Sequence, residues 1–163
     1  MGQLGGLTRF VRPSMRIMRN PTVIFLTGLL LLEATLAGDG NWPRFRGPSG
    51  AGVASGDRVP SELNDRTRAW STSLAGPGSS SPVVWGQRVF VTSEERSRGL
   101  VHLHCFGTED GRALWKKTVE VGPYRTHKMN NTAAATPAVN GNMVVFSWYD
   151  SGRKMAVLSA CSH

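Results

Sequence analysis

Ser81-Pro82-Val83-Val84-Trp85-Gly86-Gln87-Arg88-Val89-Phe90-Val91 and Thr136-Pro137-Ala138-Val139-Asn140-Gly141-Asn142-Met143-Val144-Val145-Phe146 carry one pattern twice, 55 residues apart. Both read hydroxyl, proline, a small or apolar residue, valine, any residue, glycine, two of any kind, then three apolar positions. Proline opens a strand where no ladder donor is required. Glycine makes a tight hairpin, and the apolar run that follows suits a strand covered on both faces.

Working outward, the period-two signal continues. Arg88 to Thr92 reads as a strand rich in β-branched and aromatic residues. Glu94-Glu95-Arg96-Ser97-Arg98-Gly99 reads as a charged turn, and Leu100 to Phe106 as the next strand. Its alternation places Val101, Leu103 and Cys105 on one face and His102, His104 and Phe106 on the other. Thr108-Glu109-Asp110-Gly111 is a hairpin turn, Ala113 to Val119 a further strand, and Val121 to Ala134 a longer excursion. No stretch carries the period of a long amphipathic helix. Trp70 and Trp115 each mark a unit and stand 45 apart, close to the ~40–45 residues of a four-stranded propeller blade. The expectation is an all-β fold. With 19 glycines and 9 prolines among 163 residues, composition also favours turn-rich β structure over a helical bundle.

The chain divides into three parts. Residues 1–37 carry Arg9, Arg12, Arg16 and Arg19, then the apolar run Val23 to Leu32, then small residues at Thr35 and Ala37. That order is expected of a cleaved signal peptide. The apolar run is shorter than the ~20 residues of a membrane span, so no stable span is expected after cleavage. Residues 38–68 are a lead-in rich in Gly, Pro and Arg, including Asn41-Trp42-Pro43-Arg44-Phe45-Arg46-Gly47-Pro48. There Trp42 and Phe45 are expected to pack down, with Arg44 and Arg46 covering apolar surface and pairing with carboxylates. Residues 69–163 are the repeat-bearing domain.

A net charge of +8 and a pI near 10.5 invite a nucleic-acid reading. Four basic residues and one acid fall in the leader, and the remaining +5 forms no run. Export and the scatter of charge argue for a modestly basic surface and no nucleic-acid partner. Two cysteines exclude a disulfide-dense scaffold and a four-cysteine zinc site. Cys105 and Cys161 would meet an oxidising compartment, but sequence leaves their pairing open, and a small buried residue or free thiol is the expected role. His102 and His104, two apart on one strand face, have a spacing that metals use. No acidic or cysteine partner is expected beside them, so their expected role is strand-surface or inter-blade histidine, with no metal. His127 belongs to the loop Tyr124 to Asn131, expected to be a solvated connection rather than the lining of a ligand mouth. No phosphate loop, nucleophile elbow or His-Glu-x-x-His motif is present, and no catalytic residue is assigned.

On these residues the chain resembles the pyrrolo-quinoline-quinone-like (PQQ-like) β-propeller repeat family. The resemblance covers Trp70 to about Ala160. The family unit ends small-x-Asp-x-x-Thr-Gly-x-x-x-Trp, which here is Cys105 to Trp115; Gly111 and Trp115 match, Gly107 replaces the usual Asp and Asp110 the usual Thr. The opening Trp42 to Pro48 is similar to the lead-in of exported PQQ-like propeller proteins of planctomycetes. The resemblance implies a partial propeller of about two blades, the second unfinished, since the turn, Gly and closing Trp expected after Met155 to Ala160 are missing. The chain is thus expected to be a fragment of a longer, exported protein, periplasmic or secreted. Two functions follow from the resemblance. One is a non-catalytic scaffold that binds a protein partner or small ligand at the propeller face. The other is a piece of a quinoprotein dehydrogenase, with PQQ and calcium as cofactors. No adjacent cysteine pair and no assignable calcium-binding carboxylate cluster accompany the repeat, though such residues could lie in the missing blades; the scaffold is favoured because the repeat shows a fold and not a site.

Overall fold

 

Short strands gain stability by pairing and by packing a face. The computed structural model describes residues 40–54, 60–122, 127 and 130–163; the expected leader, 1–37, lies outside them. The described residues form an all-β structure of two antiparallel sheets, with one short 3-10 turn at Arg96–Arg98.

Sheet 1 has the order β1 (Val83–Trp85), β2 (Arg88–Glu95), β3 (Leu100–Gly107), β4 (Ala113–Glu120). Sheet 2 has the order β5 (Ala138–Val139), β6 (Met143–Asp150), β7 (Met155–Ser162). Turns sit where the glycines are. Gly86 (φ 55°) turns β1 into β2, and Gly111 (φ 66°) precedes β4. At the second turn Asp110 Oδ1 accepts the Arg112 N–H at 2.9 Å, and the Gly111 N–H donates to the Gly107 carbonyl at 3.1 Å. Departure from the repeat pattern at 107 and 110 therefore still leaves a closed turn.

The strand boundaries correct one expectation. Glu94 and Glu95 belong to β2, paired with Val101 and Leu100, and the turn is confined to Arg96–Gly99. Charge at the strand end is tolerated because both carboxylates find donors there, as described below.

The two sheets run on one schedule. β6 and β7 begin and end 55 residues after β2 and β3, and the β2–β3 register, Arg88 opposite Gly107, reappears as Met143 opposite Ser162. The core lies between the sheets: Val83, Phe90, Leu103 and Cys105 from sheet 1 meet Val139, Val144 and Phe146 from sheet 2. Shifting Val83 and Phe90 by 55 gives Ala138 and Val145, which are not core residues; the core uses their neighbours. Successive side chains of a strand point to opposite faces. Sheet 1 therefore presents one face to the core, and sheet 2 presents the opposite one.

β1 pairs with β2 only as far as Phe90. Beyond it, the edge of β2 is closed by a segment that is not a strand. The Glu94 N–H donates to the Pro77 carbonyl at 2.8 Å, and the Thr92 N–H to Ser80 Oγ at 3.0 Å. A Cβ on Gly76 would lie 1.9 Å from the Glu94 carbonyl oxygen, so only glycine allows this approach.

The lead-in is ordered by the sheet, partly as expected. Trp42 forms a β-bridge with Val84 and packs against Gly47. Phe45 does not pack down; it is 59% exposed, with the Arg46 guanidinium 5.6 Å from its ring centroid. Among the described residues Arg44 reaches no carboxylate either. Its guanidinium donates to the carbonyls of Gly47 and Pro48, closing the loop on itself.

Candidate functional site

Polar side chains concentrate on the face of sheet 1 turned away from the inter-sheet core. Strand alternation puts Ser93 and Glu95 of β2, His102 and His104 of β3, and Lys116 and Thr118 of β4 on that face. His102 and His104 are both buried, with ring centroids 5.8 Å apart. His102 Nε2 lies 2.8 Å from Glu95 Oε1, and Nδ1 lies 2.9 Å from Thr118 Oγ1. The expectation that no acid accompanies this pair is corrected: Glu95 stands beside His102 because β2 runs two residues further than its charge pattern suggests. Arg98 and His102 hold the Glu95 carboxyl below its ordinary range.

His104 stacks on Phe106 and approaches Ser93 Oγ at 2.9 Å through Nε2. Ser93 Oγ donates its own proton to the Ala75 carbonyl at 2.8 Å. The hydroxyl can then only accept from His104, so the hydrogen bonding assigns the Nε2–H tautomer. Burial, with His102 and Lys116 adding positive charge nearby, pushes His104 down to about 4. Ser93 and His104 resemble a nucleophile and base in distance alone. With Ser93 fully buried and its proton directed to a carbonyl, the pair ties segment 75 to the sheet and has no access to substrate.

Glu94 points to the other face and is also buried. Burial pushes its pKa up, but the Thr132 hydroxyl and N–H and the Arg96 guanidinium outweigh that and hold it below the ordinary value. Thr132 N–H donates to Oε2 at 2.6 Å, and Arg96 pairs with Oε1 at 2.9 Å. No local sequence signal links Glu94 to a threonine 38 residues away.

A cleft of about 370 Å³ opens at the end of sheet 1 where its two hairpin turns meet. Gln87, Arg88, Thr108, Glu109, Asp110 and Arg112 supply its polar lining. Arg88 is engaged by His163, 3.2 Å from its ring nitrogen. This is a shallow, mixed-charge surface.

The calcium and quinone of the dehydrogenase expectation can be compared with the donors present. Both buried-strand carboxylates are already taken, Glu94 by Thr132 and Arg96, Glu95 by Arg98 and His102. Among the described residues no group of three or more His, Cys, Asp or Glu converges on a point, and these donors do not fit a calcium ion. Cys105 and Cys161 are free thiols, and burial pushes Cys105 up to about 11. His127 is exposed, while Tyr124, Arg125, Thr126, Lys128 and Met129 of its loop lie outside the described residues. No protein-family model matches the chain, and no curated protein matches it in sequence.

Proposed function

We propose that the chain is part of an exported β-propeller scaffold of PQQ-like repeat type that binds a protein or small ligand and performs no chemistry of its own. The two sheets are read as successive blades, the second lacking its fourth strand among the described residues. One observation carries this reading: two sheets with one strand schedule pack through opposite faces. A contact between unlike faces can be repeated in the same sense, and such repetition closes a ring where the rotation per sheet divides a full turn. A sandwich of two such sheets joined through equivalent faces would not have this property.

The scaffold reading is supported over the dehydrogenase by the saturated carboxylates and by the internal use of Ser93 and His104. Its test is a titration with pyrrolo-quinoline quinone in the presence of calcium, followed by absorbance after desalting. The expected result is no retained quinone. Stoichiometric retention would overturn the scaffold reading. Export is tested separately by N-terminal sequencing of the protein recovered outside the cytoplasm, with a start at Gly38 expected.

A further inference from the structure

We propose that the cleft at the turn end of sheet 1 binds a small zwitterion of the α-amino-acid type, its carboxylate held by Arg88 and Arg112 and its ammonium by Glu109 and Asp110. The proposal deepens the scaffold reading by giving its small ligand a place and a chemical class, and it rests on that reading. Turns 86–87 and 108–112 leave the antiparallel sheet at the same end. In a propeller the strand ends form the faces of the ring. The cleft volume of about 370 Å³ lies at the small end of the range of ligand pockets.

Charge selects the class. Arg88, Glu109, Asp110 and Arg112 all line the cleft, and among the described residues none of the four takes part in an ion pair. Arg88 is half-buried, and among those residues its one side-chain partner is the ring of His163. His163 Nε2 lies 2.6 Å from the Asn140 carbonyl, which only accepts, so Nε2 carries the proton. Nδ1 then accepts from the Arg88 guanidinium at 3.2 Å, and the ring is neutral. The Arg88 charge is left without a counter-ion, and a ligand carboxylate supplies one. Asp110 commits only Oδ1, to the Arg112 N–H. A plain anion would meet repulsion from Glu109 and Asp110, whereas a zwitterion answers both signs.

The walls are set before a ligand arrives. The Thr108 N–H donates to the Gln87 carbonyl at 3.1 Å and joins the two turns. The Trp70 indole N–H donates to the Thr108 carbonyl at 2.8 Å. A site held this way loses little conformational freedom on binding. Leu114, an exposed apolar side chain, completes the lining and suits an aliphatic ligand side chain.

The test is a titration of the nitrogen-15-labelled full chain with L-leucine, N-acetyl-L-leucine and L-leucinamide, read at the amides of Gln87 and of residues 108–112. L-Leucine is expected to shift these amides with a dissociation constant of about 1 mM or below. Each derivative lacks one charge and is expected to bind about tenfold more weakly. Arg112→Gln is expected to weaken L-leucine by a similar factor and to leave L-leucinamide unchanged. The turn contacts of Arg112 come from its backbone, so the fold survives the substitution. Glu109→Gln is expected to weaken L-leucine and to leave N-acetyl-L-leucine unchanged. No shift with L-leucine overturns this site and leaves the scaffold reading, which also admits a protein partner, to its own quinone test. Equal binding of L-leucine and N-acetyl-L-leucine overturns the zwitterion in favour of a plain anion. An Arg112→Gln variant that binds L-leucine like wild type overturns the residue assignment.

Discussion

Acidification between pH 6.5 and 4 is expected to destabilise the domain chiefly through His104. The group is folded with a pKa of about 4 and unfolds to an ordinary value of 6.5. Above pH 6.5 it is neutral in both states and contributes no pH dependence. Below 6.5 the unfolded chain takes up a proton that the folded chain refuses, so stability falls as pH falls, until the folded group titrates near 4. At about 1.4 kcal/mol per unit, the loss approaches about 3 kcal/mol across the window, a large share of the 5–15 kcal/mol typical of a domain. Glu94 and Glu95, both held below the carboxylate value of 4.5, lose their contribution at lower pH. Urea unfolding at pH 7.5, 6, 5 and 4 measures the effect. His104→Gln keeps an N–H for Ser93 and does not titrate, so its stability is expected to be nearly flat from pH 6.5 to 5. An unchanged slope in His104→Gln would refute the assignment.

Two further outcomes are expected. Glu94→Ala leaves the Thr132 N–H without its buried acceptor and Arg96 without its partner; a loss of about 3 kcal/mol in denaturant unfolding is expected, with Glu94→Gln costing less. Gly111→Ala places a Cβ 2.4 Å from the Trp70 ring at a φ of 66°. A cost of at least roughly 1–2 kcal/mol and a changed tryptophan emission spectrum are expected, and wild-type values for both would contradict the turn geometry.

Much of sheet 1 was legible because its punctuation is local. Gly86 and Gly111 mark turns, and alternation from Leu100 to Phe106 assigns faces correctly. The end of β2 was not legible, because Glu94 and Glu95 read as solvated charge until Thr132, Arg98 and His102 are placed around them. Phe45 misled for the complementary reason: an aromatic residue between arginines looks like an anchor, yet the loop satisfies Arg44 on its own carbonyls and sets the Arg46 guanidinium over the exposed ring. The face-to-opposite-face packing of the sheets rests on contacts between residues more than thirty apart, which periodicity within a strand does not encode.

The glycine-dependent closure of the β2 edge has a kinetic consequence. The amides of Thr92 and Glu94 are held by Ser80 and by the Pro77 carbonyl, not by a strand. Their hydrogen exchange therefore reports how often segment 75–80 lifts away, independently of whether the sheet itself opens. A slow rate at these two amides would mean that the segment opens only with the sheet. A fast one would identify the place where a protease first gains entry.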